Sequence, residues 1–258
     1  MAIDLYAQQF RDLAELRYAA TSKRLRAFLD GAPVLDTVDA LLVWEPLRVV
    51  PAYPVPPGDL DLELTEHDPV VPPAGVGPVL PPRHLEWHTT PGRSLHLGDR
   101  GEVAFRPEEA ALGGRVVLQW GPFDWVEEEQ PVVVHAHDPF TRIDVLPSSR
   151  HVRVEVAGVT VAESTRPCAL YETGLPTRWY LPREDVRLDL FTASDFHTAC
   201  AYKGTASYLS GEGAPDVAWF YPDPLPEALS VKDMVSFWRA ADVYVDGERV
   251  PTGMPGEI

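Results

Sequence analysis

Two hydrophobic rhythms run along the chain. From Ala2 to Tyr18, Leu5, Phe10, Leu13 and Leu16 recur near helical spacing, with Gln8, Arg11, Asp12 and Glu15 between them. That spacing predicts an amphipathic N-terminal helix. Further on the period shortens. Leu25-Arg26-Ala27-Phe28-Leu29 and Val152-Arg153-Val154-Glu155-Val156 are short apolar or alternating runs, each followed closely by a glycine. Such runs predict strands that end in tight turns. Asp246-Gly247 after Val243-Tyr244-Val245 predicts a closing hairpin by the same rule. Proline occurs 27 times, about twice the usual share. An interior proline removes a helix donor and clashes with the preceding turn, so the body is expected to be mainly β, built from short strands.

The two alternating runs belong to a longer internal correspondence. Ser22-Lys23-Arg24-Leu25-Arg26 aligns with Ser149-Arg150-His151-Val152-Arg153, and the register goes on to pair Gly31 with Gly158, Trp44 with Tyr171 and Glu45 with Glu172. Tyr53-Pro54-Val55-Pro56 then meets Trp179-Tyr180-Leu181-Pro182. His88-Thr89 meets His197-Thr198, Ala104-Phe105 meets Ala218-Trp219, and Trp120 meets Trp238. The order never crosses, and one Pro-rich insertion near residues 66–83 accounts for most of the drift. The expected organisation is a helical extension over 1–20, a divergent β domain over 21–147 and a second β domain over 148–258.

Composition narrows the partners. There are 22 Lys and Arg against 39 Asp and Glu, a net charge of −17. A field of that sign repels phosphate backbones and anionic bilayers, so neither a nucleic acid nor a membrane is an expected partner. The chain lacks an apolar run of the roughly 18 residues a membrane span needs, which points to a cytoplasmic protein. Two cysteines, Cys168 and Cys200, make neither a disulfide framework nor a four-cysteine zinc site, and no metal or cofactor is expected.

The second domain carries long signatures. It reads Glu172-Thr173-Gly174-Leu175-Pro176-Thr177-Arg178-Trp179-Tyr180-Leu181-Pro182-Arg183-Glu184-Asp185-Val186. After these come His197-Thr198-Ala199-Cys200-Ala201-Tyr202-Lys203-Gly204 and Ala218-Trp219-Phe220-Tyr221-Pro222-Asp223-Pro224. These segments closely resemble the bacterial domain of unknown function 427 family over essentially all of 149–250. The first domain resembles the divergent partner of tandem members. It keeps Tyr53, Pro56, Asp59 and His88-Thr89-Thr90-Pro91-Gly92 but lacks the Cys-x-Tyr-Lys-Gly element. The resemblance implies a strongly bent β-tent fold, the architecture of type B methionine sulfoxide reductases and of the thalidomide-binding domain of cereblon. Some collections label the family nucleotidyltransferase-like, yet the chain has no G-x-x-x-x-G-K-[ST] loop to cradle phosphates.

Three constellations could carry chemistry. Cys200 and His197, beside Tyr202 and Lys203, are the nucleophile candidates, since a nearby cation lowers a thiol pKa. A half-buried, inert thiol is the plain alternative. Glu172, Arg178, Trp179, Tyr180, Arg183, Tyr202, Lys203, Trp219 and Tyr221 form a polar aromatic set. Strand alternation puts Arg178 and Tyr180 on one face and Trp179 and Leu181 on the other. The third is Glu45, Arg48, Tyr53, His84, His88 and Arg106 in the first domain. His135-Ala136-His137-Asp138 is metal-like in composition but more simply structural, and Glu127-Glu128-Glu129 reads as a solvated loop.

The expected function is an enzyme acting on a small polar or anionic metabolite. Arg178, Arg183 and Lys203 would bind it, while Tyr180 or Tyr202 and Glu172 or His197 move protons. The alternatives are a non-catalytic binding module with an aromatic cage of Trp179, Trp219 and Trp238, or a protein-interaction scaffold.

Overall fold

The computed structural model describes residues 2–3, 12–73, 75, 79–80 and 87–253. The chain divides into two compact units, Met1–Asp138 and Pro139–Ile258. Both are built from short strands. Every helical segment among the described residues is a 3-10 turn of three to six residues, and none is long and apolar enough to cross a membrane.

Among the described residues the first unit holds three sheets. Strands β1 (Arg17–Ala20) and β4 (Leu41–Trp44) pair antiparallel. Strands β2 (Leu25–Leu29), β3 (Ala32–Thr37), β10 (Asp124–Glu127) and β11 (Gln130–Val132) lie in the order β11-β10-β2-β3. A five-stranded sheet runs β5-β9-β8-β7-β6, from β5 (Pro54–Val55), β6 (Thr65–His67), β7 (Gly92–His96), β8 (Glu102–Pro107) and β9 (Val116–Leu118). Alternation works as the sequence predicts on β2, where Leu25, Ala27 and Leu29 enter the core and Arg26 and Phe28 stay half-exposed. Its hairpin turns at Asp30-Gly31, both left-handed (φ 51° and 80°), the geometry a two-residue turn requires.

The expected helix over Ala2–Tyr18 is corrected where its residues are described. Asp12–Ala14 is a 3-10 turn, and the chain is already a strand at Arg17. Leu13 is buried and its carbonyl accepts the Leu47 amide at 2.6 Å, while Arg17 through Ala20 pair with Trp44 through Leu41. A tertiary ladder has overridden a local helical rhythm. Residues 4–11, with Leu5 and Phe10, lie outside the described residues.

The second unit begins with β12 (Ile143–Pro147), which pairs with β15 (Cys168–Glu172), which in turn pairs with β16 (Arg178–Tyr180). The unit boundary therefore falls before β12 rather than at 147–148, because β12 takes its partner from the C-terminal side. A four-stranded sheet runs β14-β13-β21-β22, from β13 (Val152–Val156), β14 (Val159–Ser164), β21 (Ala241–Val245) and β22 (Glu248–Val250). Its two hairpins turn at Ala157-Gly158 and Asp246-Gly247, the latter at the predicted place. The last sheet is β17-β18-β19-β20, with β17 (Phe191–Cys200), β18 (Gly204–Gly211), β19 (Ala214–Phe220) and β20 (Ser236–Phe237).

One first-unit carboxylate departs from its sequence reading. Glu127 is not a solvated loop residue but a buried end of β10. Tyr53 donates its hydroxyl to Glu127 at 2.6 Å, Lys23 pairs with it, and His137 Nδ1 lies 3.3 Å away. Burial alone would raise this carboxyl, but bonds from His137, Lys23 and Tyr53 outweigh it and hold it at about 2. A depressed carboxyl adds stability above its ordinary value near 4.5 and loses it as pH falls towards 2. With a discount for the exposed Lys23, Glu127→Gln is expected to remove on the order of 2 kcal/mol at pH 7 and to flatten the acid limb. Urea midpoints between pH 7 and 3 measure both.

Candidate functional site

In the second unit, residues far apart in sequence meet between β15, β16 and β19. Glu172 ends β15, and its carboxylate accepts Lys203 Nζ, with both side chains only 11% exposed. Lys203 sits in the turn from β17 to β18, which is buried throughout: Ala201, Tyr202 and Lys203 are each 9% exposed or less. Turns normally lie at the surface, so this one is held by packing. Gly204 is left-handed (φ 88°), an added Cβ would stand 3.3 Å from the Asp223 carbonyl, and the Leu225 amide donates to the Lys203 carbonyl.

Phenols and indoles line the same place. Trp219 Nε1 donates to the Tyr180 hydroxyl at 3.1 Å, with the rings edge-on at 87°. Trp219 also meets Trp238 at 5.6 Å, and the Arg178 guanidinium stands 5.8 Å from the Trp219 ring centre. Tyr221 is 5% exposed, and its phenol makes no hydrogen bond among the described residues. Burial pushes the Tyr180 and Tyr221 phenols well above the ordinary tyrosine range, and the nearby Glu172 and Cys200 push in the same direction. These phenols stay protonated and act as donors, not bases.

Other expected members stand elsewhere, for reasons of strand geometry. Trp179 and Leu181 point into the core shared with Val152 and Val243, opposite Tyr180, as alternation requires. The expected cage of Trp179, Trp219 and Trp238 therefore does not form, because Trp179 leaves on the other face. Arg183 packs over Phe220 at 4.9 Å, on the reverse side of β19 from Trp219 and Tyr221. His197 is exposed and donates Nδ1–H to the Ala206 carbonyl at 3.2 Å. Three residues apart on one strand, His197 and Cys200 face opposite ways, so the expected thiol–imidazole pair is not assembled. Cys200 is free and half-buried near the phenols.

Residues 144–250 match the family described as a domain of unknown function (DUF427). This stretch is a DUF427 domain. No curated protein matches the chain.

A second polar cluster lies in the first unit, outside the DUF427 match. His88 is 3% exposed and stacks on Phe105, ring centres 3.6 Å apart. Its Nδ1 meets Glu45 Oε1 at 3.0 Å and its Nε2 meets Glu102 Oε1 at 2.8 Å. Two carboxylate acceptors on one ring call for an imidazolium. Burial lowers the His88 pKa, but the bonds to Glu102 and Glu45 outweigh it and the net shift is upward. Both carboxyls are held below their ordinary range because His88 and the backbone or side-chain donors around them outweigh their burial. Glu45 also takes the Thr89 amide at 2.9 Å, and Glu102 takes the Gln119 amide at 2.7 Å and the Ser94 hydroxyl. Beside the cluster is a cavity of about 30 Å³ lined by Glu45, Arg48, His88 and Trp120, room for one or two waters.

Of the first-unit residues singled out from sequence, Glu45, Arg48 and His88 come together. Arg106 instead pairs with exposed Glu66, Tyr53 serves Glu127, and His84 lies outside the described residues. His135 bonds the Ala136 carbonyl, and among the described residues no group of three His, Cys, Asp or Glu side chains could hold a metal ion. Glu102 was missed. A register shift breaks the alternation of β8 between Glu102 and Ala104, so no local pattern in the sequence points Glu102 at His88.

Leu95 faces Ala104 across β7 and β8, and Leu209 faces Ala218 across β18 and β19. In each unit the glutamate after β4 or at the end of β15 is bonded by the segment leading into β7 or β18.

Proposed function

We propose that the DUF427 domain is an enzyme acting on a small polar metabolite. Glu172 and Lys203 are the pair that handles the proton, and Tyr221 is the donor that positions the substrate. The carrying observation is convergence: Glu172, Tyr180, Lys203, Trp219 and Tyr221, from four separate strand ends, meet around one buried ion pair. A carboxylate and an ammonium held together away from water suit proton transfer, because neither needs to reorganise solvent when charge moves. Two features support reading the units as copies of one domain. The four-stranded sheets run β11-β10-β2-β3 and β22-β21-β13-β14, and in each unit a buried glutamate is bonded by the segment that leads into a long hairpin, by His88 and the Thr89 amide in one and by Lys203 in the other. On this reading the first copy is occupied by its own His88 and the DUF427 copy is the working one.

A thermal-shift screen of amino acids, keto acids, sugar phosphates and nucleotides tests the proposal, followed by turnover assays on each stabilising compound. A ligand at 100 times its Kd adds about 2.7 kcal/mol to stability. Lys203→Met is expected to cut turnover by about 100-fold or more while the protein still responds to ligand. Turnover unchanged in both Lys203→Met and Glu172→Gln would overturn the assignment.

A further inference from the structure

Arg239 stands where a long side chain is out of place. It is the first central residue of the turn from β20 to β21, which the Ala241 amide closes on the Trp238 carbonyl at 3.0 Å, and its φ is 51°. Glycine is the residue such a left-handed place favours. Strain kept at a position with an easy remedy points to work done by the side chain. That side chain is exposed, and its guanidinium lies 4.0 Å from the Trp238 ring centre. Trp238 is itself fixed. Its Nε1 donates to the Asp216 carbonyl at 2.5 Å, and its ring meets Trp219 at 5.6 Å and Tyr208 at 5.8 Å. Stacking on a fixed ring orders the cation without using its N–H donors.

The charge of Arg239 is unanswered. Acids outnumber Lys and Arg by 39 to 22 in the chain, and exposed arginines of this unit such as Arg150 and Arg166 hold carboxylates. Among the described residues Arg239 makes no ion pair and no hydrogen bond. Burial raises the Tyr208 phenol, and Arg239 works against that rise while Asp216 adds to it, so both charges reach this ring. Asp216 already accepts the Ser194 hydroxyl at 2.6 Å. Phe196 packs on Tyr208 with ring centres 4.8 Å apart, yet remains 39% exposed. The row from Arg239 through Trp238 and Tyr208 to Phe196 therefore has a charged end and an apolar end. With one positive charge and Asp216 close by, a monoanion suits it better than a dianion. We infer that this row is a binding site for a small amphipathic acid, its carboxylate on the Arg239 fork and its apolar body across Tyr208 and Phe196. The inference does not rest on Glu172 and Lys203 being catalytic.

The test titrates the full chain with 4-phenylbutyrate, beside butyrate, 4-phenylbutyramide and phenyl phosphate, by calorimetry and by tryptophan fluorescence. 4-Phenylbutyrate is expected to bind, and butyrate and the amide to bind about 10-fold more weakly or not at all. Arg239→Met is expected to weaken the acid about 10-fold, and Phe196→Ser about 5-fold. Arg239→Gly separates binding from a structural role. Glycine relieves the left-handed turn, so the thermal midpoint should stay at or above wild type while the acid is lost. A lowered midpoint with affinity for the acid retained assigns the stacked arginine to stability alone and overturns the inference. So does the absence of 4-phenylbutyrate binding, or the amide or phenyl phosphate binding as well as the acid. Affinity lost in Lys203→Met but kept in Arg239→Met would move the anion to the buried ion pair and overturn it too. A chain that binds the acid through Arg239 yet turns over nothing sinks the enzymatic reading and leaves this inference standing.

Discussion

Gly92→Ala is expected to destabilise the first unit by about 3 kcal/mol. Gly92 opens β7 opposite Pro107 on β8, and an ideal Cβ there would lie 2.4 Å from the Arg106 carbonyl oxygen and 2.4 Å from Phe105 Cζ. Neither neighbour can yield easily. The oxygen belongs to the paired strand, and the Phe105 ring is fully buried under His88. A shift of that ring moves the imidazole out of line with both carboxylates, so one methyl group disturbs ladder, core and ion cluster together. Gly58→Ala is the control, because nothing lies within 4 Å of its Cβ position. Urea midpoints should fall sharply for the first variant and stay near wild type for the second. Equal midpoints would mean that β7 and β8 separate without cost.

His88→Leu should cost about 3–5 kcal/mol, the usual range when one partner of a buried ion pair is removed. Leucine fills the space against Phe105 but leaves Glu45 and Glu102 buried and uncompensated. Adding Glu102→Gln to His88→Leu should recover part of the loss, and a double-mutant cycle measures how much. The pH dependence follows from the raised imidazole. Its contribution is complete below the ordinary histidine value near 6.5 and is lost as pH rises through the higher folded value. Wild type should therefore lose stability on the alkaline side, and His88→Leu should lack that limb. The two depressed carboxyls add a limb of opposite sign, lost as pH falls below their ordinary range near 4.5. An alkaline limb that persists in His88→Leu would assign it to another group.

The sequence reads well where the structure is local and poorly where it is not. Alternation over 25–29 and 152–156 and the Asp246-Gly247 turn are short-range patterns, and the strands lie where these patterns put them. The rhythm over Ala2–Tyr18 is equally local, yet β4 captures Arg17–Ala20, and nothing near those residues announces that partner. At the site, the long family signatures gather the right neighbourhood. They do not say which side of a strand each member faces. Alternation alone separates Trp179 from Tyr180, but Arg183 over Phe220 depends on how the turn after β16 returns to β19. Glu102 and Glu127 are acids in charged-looking stretches, and only partners from distant strands make them buried anchors.

The order of strands in the two four-stranded sheets constrains how the chain is made. Leu25–Leu29 lies against Asp124–Glu127, and Val152–Val156 lies against Ala241–Val245, so each sheet joins an early strand to a late one. Contacts of such sequence separation close slowly, because the entropy of the long loop is spent before the pairing gives anything back. On the ribosome, β2 and β3 emerge as a lone hairpin and wait through almost the whole unit for β10. A two-stranded hairpin has little stability of its own in water. A nascent chain stopped before Asp124 thus exposes the open edge of β2, which makes that interval the one in which a chaperone has most to protect.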